Sequence, residues 1–292
     1  MAPPRLIVID LDGTLVGSSG SISLANRQAI QHVQASGCTV LVATGRTWSE
    51  CHVLLDEAGL HGPLITAGGS RLTTHPANTT TDRIALTGTA AIAAAKVLVK
   101  HNLGVLVLVD PDPSGIEYLH LGPHDLHAVS HWWHDHHGHI VHPIASPDEV
   151  ASHGTVLRVA AVAEAEVFEA PAIALQAAIG DEASIWHWEA VTDPRRGHAP
   201  VHLLEVFGRE AGKWPMVQRW CAANGHNTSD VVAIGDGLND VELIQHAGLG
   251  IAVANADARV RDVADCIVAS NDDNGVADAL LGLLDGTLGA IV

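Results

Sequence analysis

The sequence is poor in basic residues, and this shortage excludes two classes of partner. Fifteen lysines and arginines stand against 33 aspartates and glutamates, which gives a formal net charge of −18. Because nucleic acids and anionic membranes are bound through basic surfaces, neither is expected as a partner. A phosphorylated small molecule remains compatible with this composition if positive charge is concentrated locally, for example by a divalent metal ion.

Aromatic residues, cysteines and long apolar runs are also scarce. Aromatic residues make up 3% of the chain and hydrophobic residues 47%, so alanine, valine and leucine must fill the core. No run of about twenty apolar residues would span a membrane, and no signal peptide is recognised, so we expect a cytoplasmic protein. Isolated cysteines without a C-x-x-C pair indicate buried thiols rather than disulfides; they are Cys38, Cys51, Cys221 and Cys266.

Strands alternate with helices at both ends of the chain. This alternation predicts β-α-β units and an α/β fold with a doubly wound, Rossmann-like parallel sheet. The functional loops of such a sheet lie at the carboxyl ends of its strands. The buried strands are predicted at 6–10, 38–43, 63–66, 231–234 and 250–253.

The middle of the chain has a different pattern, with paired strands as well as helices. Residues 81–197 are therefore predicted to form an α+β domain inserted into a core made of residues 1–80 and 198–292. The polar, turn-rich segment 73–81 marks the first boundary. The apolar segment 201–207 is predicted as a strand that leads back into the core.

Two carboxylates at the end of the first strand are the first candidate functional residues. Asp10 and Asp12 are two positions apart, and such positions on an extended strand point the same way. Buried acids are costly unless a cation or a reaction requires them. Residues 10–14 alone are also compatible with a strand followed by an ordinary Asp-Gly turn.

A second acidic loop follows a later strand. Residues 235–240 read GDGLND, and a parallel sheet would allow Asp236 and Asp240 to lie beside Asp10. Converging carboxylates of this kind suit Mg²⁺. A Gly-Asp-Gly turn in which Asn239 caps the next helix is the alternative interpretation.

Two further residues have side chains suited to phosphate binding. Lys213 stands at a predicted helix start, where cations are disfavoured, and nearby acids would explain its position. A solvated surface lysine is the commoner case. Thr44 offers a hydroxyl beside a helix N-terminus, which suits a phosphoryl oxygen, although an isolated Thr-Gly turn would be unremarkable.

Taken together, these motifs resemble the haloacid dehalogenase superfamily of phosphohydrolases. Its four signatures correspond in order to DLDGT at 10–14, Thr44, Lys213 and GDGLND at 235–240. The large insert is similar to that of the Cof-type subfamily (type IIB, with a large C2-type cap). The same holds for ATGR at 43–46, VANA at 253–256 and VAD at 263–265.

The resemblance implies a phosphoric monoester hydrolase that acts on a small phosphorylated metabolite, with a sugar phosphate as one candidate. Asp10 would attack phosphorus and form an aspartyl-phosphate, and Asp12 would act as general acid and then as general base. The implied cofactor is Mg²⁺, held by Asp10, the backbone carbonyl of Asp12 and Asp236, with Asp240 in support. The predicted substrate-binding residues are Thr44, Gly45, Arg46, Lys213 and Asn239.

Two segments depart from the family pattern. Residues 67–70 read AGGS where relatives often carry Asn-Gly, which leaves a substrate or cap contact open. Lys213 is followed by Trp214 and Pro215, where relatives usually have glycine and a small residue. Proline is acceptable in a first helical turn, so we expect the lysine to be placed correctly.

The insert contains a histidine-rich segment. On a helix over 123–137, four of its histidines would share one face. That face is either a Zn²⁺ or Ni²⁺ site, a pH-responsive surface or a solvated face. The solvated face is favoured because no cysteine or carboxylate pattern completes a zinc site. The four histidines are His124, His127, His131 and His134.

The resemblance also implies that the insert is a cap over the active site. The residues that set specificity would then lie in the cap, and opening and closing of the cap would admit the substrate. The candidates are Arg158, Trp186, His187, Trp188, Arg195 and Arg196.

Three alternative functions remain at the level of sequence. A phosphomutase or phosphotransferase on the same scaffold would pass the phosphoryl group to a sugar. A non-catalytic protein that retains the fold is disfavoured because the chain keeps the acids and the lysine of the signatures. The third alternative is a non-catalytic, His-rich metal-binding protein. The oligomeric state is expected to be a monomer or a homodimer.

Overall fold

The computed structural model describes residues 6–111, 115–189 and 201–288. The chain forms two compact units. We call Met1–Asp82 with Gly212–Val292 the core unit and Arg83–Ala211 the insert unit.

Strands and helices alternate along most of the chain. The strands are β1 (Leu6–Asp10), β2 (Thr39–Ala43), β3 (Gly62–Thr66), β4 (Arg71–His75), β5 (Thr80–Arg83), β6 (Val105–Val109), β7 (Tyr118–Leu121), β8 (Val141–Ile144), β9 (Val156–Glu164), β10 (Ala183–Glu189), β11 (Val201–Gly208), β12 (Val231–Gly235), β13 (Leu249–Val253) and β14 (Cys266–Val268). The helices are α1 (Leu24–Ala35), α2 (Trp48–Ala58), α3 (Gly88–Lys100), α4 (Ala128–His137), α5 (Glu169–Ile179), α6 (Lys213–Asn224), α7 (Val241–His246), α8 (Ala258–Arg261) and α9 (Gly275–Asp285).

An eight-stranded sheet forms the centre of the core unit. Its order is β14-β13-β12-β1-β2-β3-β4-β5, and the pairs from β14 to β3 are parallel. Every residue of β1 is buried, as a central strand of a parallel sheet with helices on both faces requires. The predicted α/β class with a Rossmann-like core and an α+β insert is confirmed.

The helices that follow β1 and β2 begin and end where their sequences predict. The Ser23 hydroxyl accepts a hydrogen bond from the Asn26 backbone N–H at 3.1 Å and caps α1. In α2, Thr47 and Glu50 form a capping box, and Gly59 ends the helix with a left-handed φ of 66°. These caps satisfy backbone groups that a helix end would otherwise leave unpaired.

The polar segment 73–81, predicted as a domain boundary, lies within the core unit. Strand β4 pairs antiparallel with β3, from Gly62 opposite His75 to Thr66 opposite Arg71, and β5 adds the outermost strand. Threonine is a strand former that suits a partly solvated antiparallel edge. Residues 73–81 therefore belong to the last two strands of the core sheet and the turn between them.

The predicted return strand also lies elsewhere. Val201–Phe207 of β11 pairs antiparallel with Glu164–Arg158 of β9, and β10 pairs on its other side. The units therefore divide at 82/83 and 211/212 rather than at 80/81 and 197/198. The apolar character of β11 predicts a buried strand but carries no information about which sheet it joins.

The insert unit has its own sheet and core. The sheet order is β10-β11-β9-β6-β7-β8, with β7 and β8 parallel and the other pairs antiparallel. Small side chains of α3 and the buried Phe168 belong to this core. Among the described residues, no helix is both long and apolar enough to cross a membrane.

Helix α4 begins later than predicted, and this changes the histidine pattern. It begins at Ala128, and the Nδ1 atom of His127 accepts the Val129 N–H at 3.2 Å as an N-terminal cap. His124 therefore lies outside the helix, and the four histidines do not share one helical face. His131 is exposed and lies 3.0 Å from Asp125, whereas His134 is buried.

Candidate active site

A buried lysine joins two buried carboxylates at the end of β1. The Nζ atom of Lys213 donates to Asp10 Oδ1 at 2.5 Å and to Asp240 Oδ1 at 2.6 Å. The three side chains are 1%, 7% and 0% exposed, respectively. The lysine at the start of α6 is therefore explained by the acids around it rather than by helix chemistry.

Asp240 also organises the acidic loop that follows β12. Its Oδ2 atom accepts the backbone N–H groups of Asp236 at 3.2 Å and Gly237 at 3.0 Å. A Cβ at Gly235 would lie 2.7 Å from the Asp240 carboxyl carbon, so the loop requires glycine there. Both oxygens of Asp240 are thus engaged, and this residue fixes the positions of Lys213 and of the loop.

Burial and charge shift the ionisation of this cluster. Burial, followed by the charge of Asp240, raises the pKa of Asp10 well above its usual value, although Lys213 opposes the rise. Burial alone would lower the pKa of Lys213, but the charges of Asp10 and Asp240 outweigh burial and raise it. Lys213 therefore stays protonated, and its ammonium is the positive charge bonded to both acids.

Asp236 is held by the segment that follows β1. The Thr14 hydroxyl donates to Asp236 Oδ1 at 2.5 Å, and burial raises the pKa of Asp236. Gly13 has a φ of 80°, and any Cβ there would collide with the Asp236 carboxylate. The glycine and the hydroxyl of the DLDGT motif therefore allow Asp236 to approach Asp10.

Asp12 has a different environment from Asp10. Both oxygens of its carboxylate accept from the Arg46 guanidinium, at 2.8 Å and 3.1 Å from Nε and at 2.5 Å from Nη2. Its side chain is 35% exposed, and that of Arg46 is 16% exposed. Arg46, which the sequence predicts as a substrate-binding residue, contacts the proposed proton carrier.

Thr44 lies where the turn after β2 is tied to the neighbouring strand. Its N–H donates to the Ile65 carbonyl at 2.9 Å, and its carbonyl accepts the Gly68 N–H at 3.1 Å. The side chain is buried, and Oγ1 accepts the Arg46 N–H at 3.1 Å. A hydroxyl that accepts in this way keeps its own proton for another acceptor. The space beside the neighbouring Gly45 is open, since a Cβ added there would meet no atom within 4 Å.

In the AGGS segment at 67–70, which departs from the family pattern, the structure requires a glycine at position 69. Gly69 has a φ of 98°, and a Cβ there would lie within 2.7 Å of the backbone N of Lys213. The loop after β3 therefore packs directly on the residue that begins α6. Pro215 lies within the first turn of that helix, and Lys213 still reaches Asp10.

Adjacent strands bring these side chains together. Asp10 ends β1, Thr44 follows β2 and Asp236 follows β12, and β1 lies between β2 and β12 with parallel pairing. The carboxyl ends of these strands form one edge of the sheet, as the sequence predicts. Asn239 lies one residue before Asp240 in the same loop and is partly buried.

Two residues with supporting roles were not identified from the sequence. Thr14 lies inside the first signature, but no role for its hydroxyl follows from the motif alone. The Asn255 side chain donates to the Gly13 carbonyl at 2.8 Å and accepts the Asn271 N–H at 2.9 Å. Its position within VANA marked the subfamily, and only the fold shows that it anchors the turn after β1.

The carboxylates fit a hard divalent cation. Oxygen atoms of Asp10, Asp236 and Asp240 lie within 4.8 Å of one another, and Lys213 is the cation bonded to two of them. Carboxylate oxygens are the ligands that Mg²⁺ prefers. Because Asp240 already binds Lys213 and the loop, Asp10 and Asp236 are the acids best suited to ligate it.

The candidate specificity residues of the insert unit have mixed surroundings. Arg158 forms an ion pair with the buried Glu205 at 2.6 Å, within the sheet. Trp186 and Trp188 lie with ring centroids 5.5 Å apart on β10. Burial lowers the pKa of His187, which lies 3.0 Å from His202. Arg195 and Arg196 lie outside the described residues.

Comparison with known proteins assigns the chain to a family. A profile of the haloacid dehalogenase-like hydrolases matches residues 7–280. A pyridoxal phosphate phosphatase of Escherichia coli is 24% identical over 291 residues, which cover 94% of this chain and 96% of the relative. A 5-amino-6-(5-phospho-D-ribitylamino)uracil phosphatase of Bacillus subtilis is 27% identical over 304 residues, covering 97% and 99% of the two chains.

Solved structures share the fold. A haloacid dehalogenase-like hydrolase from Bacteroides thetaiotaomicron superimposes with a TM-score of 0.77 at 23% identity, covering 95% of this chain and 98% of its own. A sugar phosphatase of subclass IIB superimposes with a TM-score of 0.76 at 19% identity, covering 96% and 99%. At these identities the likeness supports the fold.

Proposed function

The chain belongs to the haloacid dehalogenase-like hydrolases and is a phosphoric monoester hydrolase, and on this premise we propose a Mg²⁺-dependent phosphatase that works through an aspartyl-phosphate. The observation that carries the proposal is the buried contact of Lys213 with Asp10 and Asp240 at the carboxyl edge of the sheet. This contact fixes a carboxylate oxygen beside a permanent positive charge.

The proposed reaction has two displacements at phosphorus. In the first, a carboxylate oxygen of Asp10 forms a bond to phosphorus, and the bond from phosphorus to the substrate oxygen breaks. Asp12 donates a proton to the leaving alcohol. In the second, water attacks phosphorus while Asp12 accepts its proton, and the bond to Asp10 breaks to release inorganic phosphate.

Charge neutralisation supports both displacements. The Lys213 ammonium would bind a phosphoryl oxygen while it orients Asp10, and the Thr44 hydroxyl would donate to another oxygen. Asp10, Asp236 and the backbone carbonyl of Asp12 would hold Mg²⁺, which supplies positive charge for the phosphoryl group and its transition state. Asp240 would keep the lysine and the loop in position.

Arg46 acquires a positioning role in this proposal. Its contacts with both oxygens of Asp12 hold the proton carrier in one orientation, as bidentate pairs do. Arg46 also donates to the Glu50 carbonyl at 3.0 Å, which ties Asp12 to the first turn of α2.

The proposed substrate is a small phosphorylated metabolite. The two bacterial relatives described above act, by name, on pyridoxal phosphate and on 5-amino-6-(5-phospho-D-ribitylamino)uracil. The chain itself has a net charge of −18, which disfavours large polyanions as substrates. A sugar phosphate is a further candidate within this class.

The Asp10→Asn variant tests the nucleophile. It keeps the size of the side chain but removes the attacking charge, so release of p-nitrophenol from p-nitrophenyl phosphate in Mg²⁺ should fall to background. Asp230→Asn, at an exposed position, is the matched control and should retain wild-type activity. Full activity of Asp10→Asn would contradict the assignment of Asp10 as the nucleophile. Screening a panel of phosphorylated metabolites with and without Mg²⁺ would then identify the substrate.

A further inference from the structure

A second cluster of metal-ligating side chains lies in the core unit. Asp56, His61 and His75 each offer a ligand atom, and these atoms lie within 4.8 Å of one another. Within the described part of the chain, this cluster and the acidic cluster around Asp10 are the two groups of three or more such ligands at that spacing. The proposed phosphatase chemistry uses none of these three residues.

Three separate elements bring the cluster together. Asp56 lies in the last turn of α2, His61 precedes β3, and His75 ends β4. In the β3–β4 register, Gly62 pairs with His75, which places the two histidines beside each other. Because β3 runs parallel to β1 and β2, its first residue lies at the amino-terminal edge of the sheet, opposite the edge that carries Asp10.

The geometry suits three ligands of one metal ion. The Nε2 atom of His75 lies 3.1 Å from Asp56 Oδ1, and the His61 and His75 rings stack with centroids 5.7 Å apart at 7°. Ligand atoms bound tetrahedrally to zinc at about 2.0–2.2 Å lie about 3.3 Å from each other. A small adjustment of two exposed side chains would therefore bring all three onto one ion.

His75 is the buried member of the cluster. Its side chain is 2% exposed, and its Nδ1 atom is buried without a hydrogen-bond partner. The centroid of the Trp48 ring lies 6.1 Å from that of the His75 ring.

We propose that Asp56, His61 and His75 form a binding site for a divalent transition-metal ion of the zinc class, separate from the Mg²⁺ site of the active centre. Two imidazoles and one carboxylate suit Zn²⁺, whereas Mg²⁺ prefers oxygen ligands. Asp56 and His61 are exposed, so the ion can enter from solvent and a water molecule can complete its coordination. The bound ion links α2 to the β3–β4 hairpin.

Calorimetric titration with Zn²⁺ of metal-free protein tests this site. Because the chain has 20 histidines, weak background binding is expected and the measured quantity is the tightest event, at one ion per chain. Asp56→Asn and His61→Ala should each weaken that event by at least about tenfold, as loss of a ligand requires. Both side chains are exposed, so the variants should keep the wild-type circular dichroism spectrum.

Two control variants separate this cluster from other histidines. His32→Ala removes an exposed histidine of α1, and His131→Ala with His136→Ala removes exposed histidines of α4. Both controls should keep the tight event. The proposal is overturned if no tight event occurs, if Asp56→Asn and His61→Ala titrate like the wild type, or if the α4 variant alone loses it. Zn²⁺ should also raise the melting temperature of the wild type and not that of His61→Ala.

Discussion

Replacement of Lys213 by methionine is the most informative perturbation of the active-site core. Methionine keeps an unbranched side chain of similar length and removes the ammonium group. Asp10 and Asp240 then lose the charge that bonds both of them in a buried environment. Asp240 keeps two backbone N–H donors, so Asp10 bears most of the loss.

The expected destabilisation follows from the burial of all three groups. Removing one partner of a buried ion pair lowers the free energy of unfolding by about 3–5 kcal/mol, because the remaining charge is left uncompensated. Loss of an exposed pair lowers it by about 0–1 kcal/mol. Lys96→Met is therefore the matched control, since Lys96 pairs with Asp148 at 2.8 Å and both side chains are more than half exposed.

The destabilisation should depend on pH with a defined sign. Burial raises the pKa of Asp10 in the folded chain, and loss of Lys213 raises it further because the lysine opposes that shift. A carboxyl with a raised folded pKa binds more protons when folded, so stability falls as pH rises from the unfolded value of about 3.9 to the folded value. Between these two pKa values, the free energy of unfolding of the variant should fall by about 1.4 kcal/mol per pH unit.

Amide hydrogen exchange in β1 and β12 measures the result in the core unit. Exchange of these central strands reports the opening of their unit rather than of the insert unit. In EDTA, the loss of unfolding free energy of Lys213→Met relative to the wild type should be largest at about pH 8 and smaller at about pH 5. A loss below about 1 kcal/mol at the higher pH, equal to that of Lys96→Met, would refute the reasoning.

Two further substitutions test the supporting residues of the active site. Arg46→Gln removes both contacts with Asp12, so kcat should fall by about tenfold or more with a smaller change in KM, because the proton carrier is misplaced. The control Arg219→Gln removes the equally bidentate but exposed pair with Asp82 and should leave both constants unchanged. Equal effects of the two variants would contradict the prediction. Thr14→Val removes the donor to Asp236, so the Mg²⁺ concentration for half-maximal activity should rise by about 10–100-fold; an unchanged metal requirement in the same assay would contradict it.

Local patterns predict most of the core unit because their physical causes are local. The apolar run before Asp10 predicts a buried strand, and Thr47 with Glu50 indicates a helix start through a capping box. Short β-α-β connections then determine which strands are neighbours. The predicted convergence of Asp10, Thr44 and Asp236 follows from this topology without any knowledge of side-chain positions.

Long-range pairing explains where the sequence-based prediction was wrong. Strand β11 has no local feature that distinguishes a core strand from an insert strand. Its pairing residues in β10 and β9 lie between 13 (Glu189 to His202) and 49 (Arg158 to Phe207) positions away along the chain. Helix α4 was predicted too long because histidines contribute no clear hydrophobic period. The cluster of Asp56, His61 and His75 was missed because it depends on strand pairing: the register of the β3–β4 hairpin brings His75 to the other two residues.

The environments of Asp10 and Asp12 fit the different roles proposed for the two acids. Strand β1 ends at Asp10, and Gly13 with its positive φ turns the chain immediately after Asp12, so strand alternation no longer governs Asp12. Asp10 is therefore held inside the sheet edge against Lys213, where a nucleophile is oriented and shielded from water. Asp12 lies at a more exposed position, where its carboxylate contacts Arg46.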